Sequence, residues 1–220
     1  IDVSLVGSEM CIRDSPYHIP RAVAINSALE FMTTVLPENV DSDFLLVGGH
    51  SLGAGYALLV LDWALEKEWG GQALFVSLEA PYARPVQEHL QINTTRIPEN
   101  FLSHVAVSED DMSVSDCFGV HHQELLGEGA LFIQIPSDRY GFPRLVASHY
   151  IQATEAHDDL ADWGFYRRVA SQSSWLVASL QGDESNESEY RNQLTDTDEL
   201  RYMGEWSDGT PVLELRTYEN

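Results

Sequence analysis

Four apolar residues, Phe44 to Val47, run straight into Gly48-Gly49-His50-Ser51-Leu52-Gly53, and a second apolar stretch occupies residues 52 to 68. A short apolar run bounded by turn residues predicts a strand buried on both faces, and the longer stretch predicts a helix. Gly70 and Gly71 close that helix in the manner of a C-cap, and Leu74 to Leu78 predicts the next strand. A strand, tight turn, helix, strand series is a βαβ unit. The predicted fold class is therefore α/β, with a mostly parallel sheet and helices on both of its faces.

The turn itself reads Gly49-His50-Ser51-Leu52-Gly53, a G-x-S-x-G pentapeptide in a strand-to-helix context. A serine at the middle of so sharp a bend sits on strained backbone, and glycines two residues before and two after relieve the crowding. Its hydroxyl is predicted to be exposed. The helix behind it begins with unpaired N–H groups and the positive end of the helix dipole, so the Leu52 N–H is the first candidate donor to an oxyanion. A glycine-rich turn with a helix-capping serine is the plainer reading of the same residues.

Charge narrows the partners. The 220 residues carry 35 acids against 12 bases, a net charge of -23, and such a field repels phosphate rather than gathering it. Nucleic acid is thereby excluded as a partner, and anionic membrane surfaces are disfavoured. No run of 18 apolar residues exists, so no integral membrane segment is expected. With 44% apolar residues and 10% aromatics the chain can build a core. Its five tryptophans are expected in that core and on helix faces.

Further elements follow from spacing. Residues 20 to 36 predict an amphipathic helix ended before Pro37, Phe101 to Val107 a strand, and 130 to 135 another, with a hairpin partner at 144 to 147. Residues 155 to 180 predict a helix. After Gln181 the sequence turns polar and acidic, and residues 181 to 220 are expected to be an extension of linker or disordered surface, with a last strand at Pro211 to Arg216.

The segment GHSLGAGYALLVL, beginning at Gly49, resembles the GHSLGGALA segment of the class 3 (fungal lipase-like) family of α/β-hydrolases. Ser77-Leu78-Glu79-Ala80-Pro81 is similar to that family's Gly-Ala-Pro-Arg turn, with Glu79 in place of glycine, and Ala106 to Asp111 resembles the segment that holds its acid. The resemblance implies an α/β-hydrolase fold over residues 16 to 180 and a Ser-His-Asp triad cleaving carboxylic esters of lipids. Ser51 would be the nucleophile, Asp111 the acid with Asp110 as alternative, and Leu52 the oxyanion donor. Family order excludes His18, His50, His89 and His104 as the base and leaves His121, His122, His149 and His157. The His121-His122-Gln123-Glu124 stretch resembles one that precedes a late strand. His157, at the start of the terminal helix, is the expected base, with His149 the alternative. No cofactor is implied, and Asp116, Cys117, His121 and His122 match no common zinc spacing. Two other functions suit the same residues: a non-catalytic interaction domain using its acidic tail, and a feruloyl or polyester esterase.

Leu5 to Ser15, LVGSEMCIRDS, resembles a translated sequencing adapter, so residues 1 to 15 are set apart from the fold. The first strands, and the loop that carries a second oxyanion donor in the family, are then expected to be missing, leaving a chain that is poorly folded and nearly inert. Cys117 would be the remaining cysteine, with no intrachain disulfide and no statement about compartment.

Overall fold

The computed structural model describes residues 18–35, 40–82, 92–127, 129–153 and 157–218; the adapter-like residues 1 to 15 lie outside them. Five strands form one sheet in sequential order: β1 (Phe44–His50), β2 (Ala73–Glu79), β3 (Phe101–Ser108), β4 (Ala130–Ile135) and β5 (Arg216–Tyr218). The first four are parallel, and β5 pairs antiparallel with β4. Parallel neighbours require a crossover, which α2 (Leu52–Glu66) supplies between β1 and β2 and α3 (Asp116–Leu126) between β3 and β4.

Strand side chains alternate, so each face of the sheet builds its own core. Val47, Leu74, Val76, Leu78, Val105, Val107 and Phe132 point to one side and pack on α2 and on Leu126 of α3. Ala73, Phe75 and Leu102 point to the other, where Trp175 of α5 (Arg167–Gln181) and Leu194 cover them. Helices thus lie on both faces of a mostly parallel sheet, as expected of an α/β chain.

Among the described side chains of α1 (His18–Val35), Leu29 is buried against Trp63 and Ala64 of α2, while Val23, Phe31 and Val35 are exposed. The helix predicted at 155 to 180 begins later among the described residues. α4 (Asp159–Ala161) starts behind Asp158, whose side chain accepts the Ala161 N–H, and passes through a π-turn at Asp162–Tyr166 into α5. The hairpin expected at 144 to 147 is reduced to a single bridge between Asp138 and Leu145.

The largest departure from expectation lies after residue 181. It contains α6 (Glu184–Asn192) and α7 (Asp198–Arg201), and β5 falls at 216–218 rather than 211–216. Leu194, Leu200, Met203, Val212 and Leu215 are buried. Apolar residues spread thinly through polar sequence still pack when the intervening turns return each one to the same core. Asp138 fixes one return by accepting the Trp206 indole N–H and the Leu213 N–H.

Candidate active site

Ser51 follows β1 directly and serves as N-cap of α2, at φ 56° and ψ −123°. A non-glycine residue at positive φ is held by its surroundings at a cost of about 1–3 kcal/mol. Its N–H donates to the Glu79 carbonyl at 2.8 Å, and its carbonyl accepts from Tyr82 N–H at 3.0 Å, which ties the bend to the end of β2. Gly49 is required here: a Cβ would stand 2.4 Å from the Gly53 carbonyl oxygen. A Cβ at Gly55 would meet the Tyr82 carbonyl oxygen at 2.5 Å.

The Ser51 hydroxyl faces an imidazole, and it is His149 rather than His157. His149 Nε2 lies 2.9 Å from Ser51 Oγ, and His149 Nδ1 lies 2.7 Å from Asp111 Oδ2. The three side chains come from the carboxyl ends of β1, β3 and β4, where loops of parallel sheets collect functional groups. What carries His149 there is backbone stitching after β4. Asp110 N–H donates to the Ala147 carbonyl and Ala147 N–H to Ser137 Oγ, so His149 emerges two residues later beside Asp111. His157 is 65% exposed in its side chain, pairs with Asp162 and stacks on Tyr166. Of the two histidines weighed, the structure thus sets His149, the alternative, beside Ser51 and Asp111, and pairs His157 with Asp162 instead.

Asp111 Oδ1 accepts the Ser113 and Val114 N–H groups at 2.7 and 2.9 Å while Oδ2 takes His149. Burial pushes this carboxyl up, but the bonds from His149, Val114 and Ser113 outweigh it and hold it below the usual carboxylate range. Asp110, the alternative, accepts from Ser137 Oγ and Arg139 Nη2 instead, and those bonds also lower its pKa. The Leu52 N–H, first in α2, has no intrahelical acceptor.

The hydroxyl expected to stand open is covered. Ser51 exposes 1% of its surface and His149 4%, because the imidazole lies on Oγ and the Tyr82 backbone closes on the serine carbonyl. His50, the last residue of β1, donates its Nε2–H to the His149 carbonyl at 2.8 Å. The resemblance set His50 aside as a candidate base, and no local pattern in the sequence marks it as a neighbour of His149.

Below the site lies a buried charge pair that the sequence did not announce. Glu79 Oε2 accepts from Arg168 Nη2 at 2.7 Å, with both side chains almost fully enclosed. Arg168 Nε donates to the Gly164 carbonyl of the π-turn, and Nη1 reaches His104 Nδ1 at 3.4 Å. The zinc-like candidates are dispersed: His121 faces Glu124, His122 is buried against the Phe118 carbonyl, Asp116 accepts from Gln134, and Cys117 is exposed. Among the described residues, no group of three or more His, Cys, Asp or Glu gathers as a metal site, and no helix is long and apolar enough to cross a membrane.

No family model matches the chain, and no curated protein does.

Proposed function

We propose that this protein is a serine hydrolase of the α/β-hydrolase type, cleaving carboxylic esters through an acyl-enzyme on Ser51. The observation that carries the reading is the Asp111–His149–Ser51 chain of hydrogen bonds, 2.7 and 2.9 Å long, ending on a serine at positive φ. Serine hydroxyls are weak nucleophiles at neutral pH, and an adjacent oriented base corrects that. His149 Nε2 takes the Oγ proton as Oγ bonds the ester carbon, while Asp111 holds the Nδ1–H and stabilises the imidazolium. The oxyanion accepts from the Leu52 N–H. His149 then gives its proton to the departing alcohol, and water, deprotonated by the same imidazole, releases the acid and restores Ser51. Neither metal nor organic cofactor enters these steps. Acylglycerols or related lipids are the proposed substrates, on the resemblance of GHSLGAGYALLVL to lipase segments.

A fluorophosphonate probe is expected to add to Ser51, read as one modified peptide by mass spectrometry and absent from Ser51→Ala. Activated esters of graded acyl length, tested beside that mutant, then report the substrate class. Labelling unchanged in Ser51→Ala overturns the hydrolase and favours a non-catalytic interaction module.

A further inference from the structure

Resting on that reading, we propose that His50 is a positioning residue, pinning the loop that bears His149 to the end of β1 through its Nε2–H bond to the His149 carbonyl. A carbonyl oxygen only accepts, so the 2.8 Å contact places the hydrogen on His50 Nε2. His149 is then held at three points: Nδ1 by Asp111, Nε2 at Ser51, and its own backbone by the residue next to the serine. The two rings also touch, 4.7 Å apart between centroids and tilted by 43°, so the test has to separate ring packing from the hydrogen bond.

The same loop has a second, longer tether. Gln152 Nε2 lies 3.4 Å from Glu79 Oε2, and Glu79 is the register partner of His50 across β1 and β2. Adjacent strand ends thus grip both ends of residues 149–152, and Arg168 fixes Glu79 from below. Burial first, and then the neighbouring His149, press the His50 proton affinity down, against smaller opposite pulls from its bond to the His149 carbonyl, Glu79 and Asp111. A neutral ring with one N–H suits this place, because it donates the bond and sets no positive charge beside the imidazolium formed in the reaction. Nucleophile and base separated by an additional fraction of an ångström lose rate steeply.

The test compares three forms of the full chain. His50→Phe keeps a ring and removes the donor; His50→Gln restores a donor; replacing Tyr150 by its α-hydroxy acid turns the His149 carbonyl into a poorer-accepting ester without changing any side chain. Two readouts are taken: kcat and KM on a short activated ester, and the far-downfield proton resonance of the His149 Nδ1–H bonded to Asp111, assigned by its loss in His149→Ala. The expected result is a kcat lower by about tenfold or more in His50→Phe and in the ester form, with KM little changed, a broadened resonance in both, and recovery in His50→Gln. Wild-type kcat and resonance in His50→Phe overturn the proposal. So does a loss in His50→Phe that the ester form does not share, which assigns the effect to ring packing. If the wild-type protein has no Ser51-dependent turnover, the hydrolase reading has failed, while the resonance still reports whether His50 pins the loop. Should His50→Phe fail to fold, the ester form decides beside Ser148→Ala, which controls for the Tyr150 N–H bond to Ser148 Oγ that the ester also removes.

Discussion

Ser51, His149 and Asp111 at the end of the sheet, and Ser77, His104 and Glu79 within it, use the same three kinds of residue in two different ways. In the first set the imidazole stands between a carboxylate on Nδ1 and a hydroxyl on Nε2, so a proton has a direction in which to travel. In the second, His104 Nε2 gives its hydrogen to the Leu194 carbonyl and Nδ1 faces Arg168 and Gln172. Burial, and then Arg168, push His104 down to about 3, so it remains neutral and has no lone pair left for chemistry. Glu79 is committed to Arg168, and Ser77 lies on regular strand. The order of partners around the ring, and a bend that lifts one serine out of the ladder, separate a candidate reaction centre from a structural knot of nearly identical composition.

Four measurements press on that contrast. His149→Ala is expected to lower Ser51-dependent turnover by about a thousandfold or more while His157→Ala leaves it at the wild-type rate, read from steady-state kinetics. Equal losses in both would dissolve the geometric choice of base. In the knot, Glu79→Ala strands a buried guanidinium and should cost about 3–5 kcal/mol in denaturant unfolding; a cost under about 1 kcal/mol would mean that water already screens the pair. Gly49→Ala drives a Cβ into the Gly53 backbone and is expected to destabilise by about 1–3 kcal/mol, whereas equal stability would show that the bend can relax.

The remaining test is acid. His104 and His122 are held neutral at about 3 and about 4, against 6.5 when unfolded. Between those values the unfolded chain binds protons that the folded chain refuses, so stability rises with pH up to about 6.5 and is progressively lost on acidification below it. Each group contributes a slope of about 1.4 kcal/mol per pH unit inside its window. A flat profile from pH 4 to 6.5 would place both rings in contact with solvent.

The βαβ core was legible because Phe44–Val47, the Gly-rich turn and the apolar helix obey local rules that burial reinforces. The strand's end pointed equally to Asp110 and Asp111; the resemblance of Ala106 to Asp111 to an acid-bearing segment singled out Asp111, which lies 2.7 Å from His149 Nδ1. His149 was legible only as the alternative to His157, because its position depends on Asp110, Ser137 and Ala147 meeting across a loop, and no periodicity in a loop encodes such stitching. The Glu79–Arg168 pair was hidden likewise: Arg168 reads as one polar residue of an amphipathic helix until the sheet brings a carboxylate beneath it. The segment beyond residue 181 misled through averaging. Its acids dominate any window, while Leu194, Leu200 and Met203 count singly and bury completely.

The π-turn at Asp162–Tyr166 acts as a phase shifter. Side chains on a regular helix advance by about 100° per residue, so one additional residue in a turn changes the azimuth of everything that follows. Upstream, Leu160 and Ala161 line the interior shared with Ile133 and Met203; downstream, Trp175 lines the one shared with Phe75. A single rod thereby serves two interiors, and excising one residue from its wide turn would swing the guanidinium of Arg168 away from Glu79.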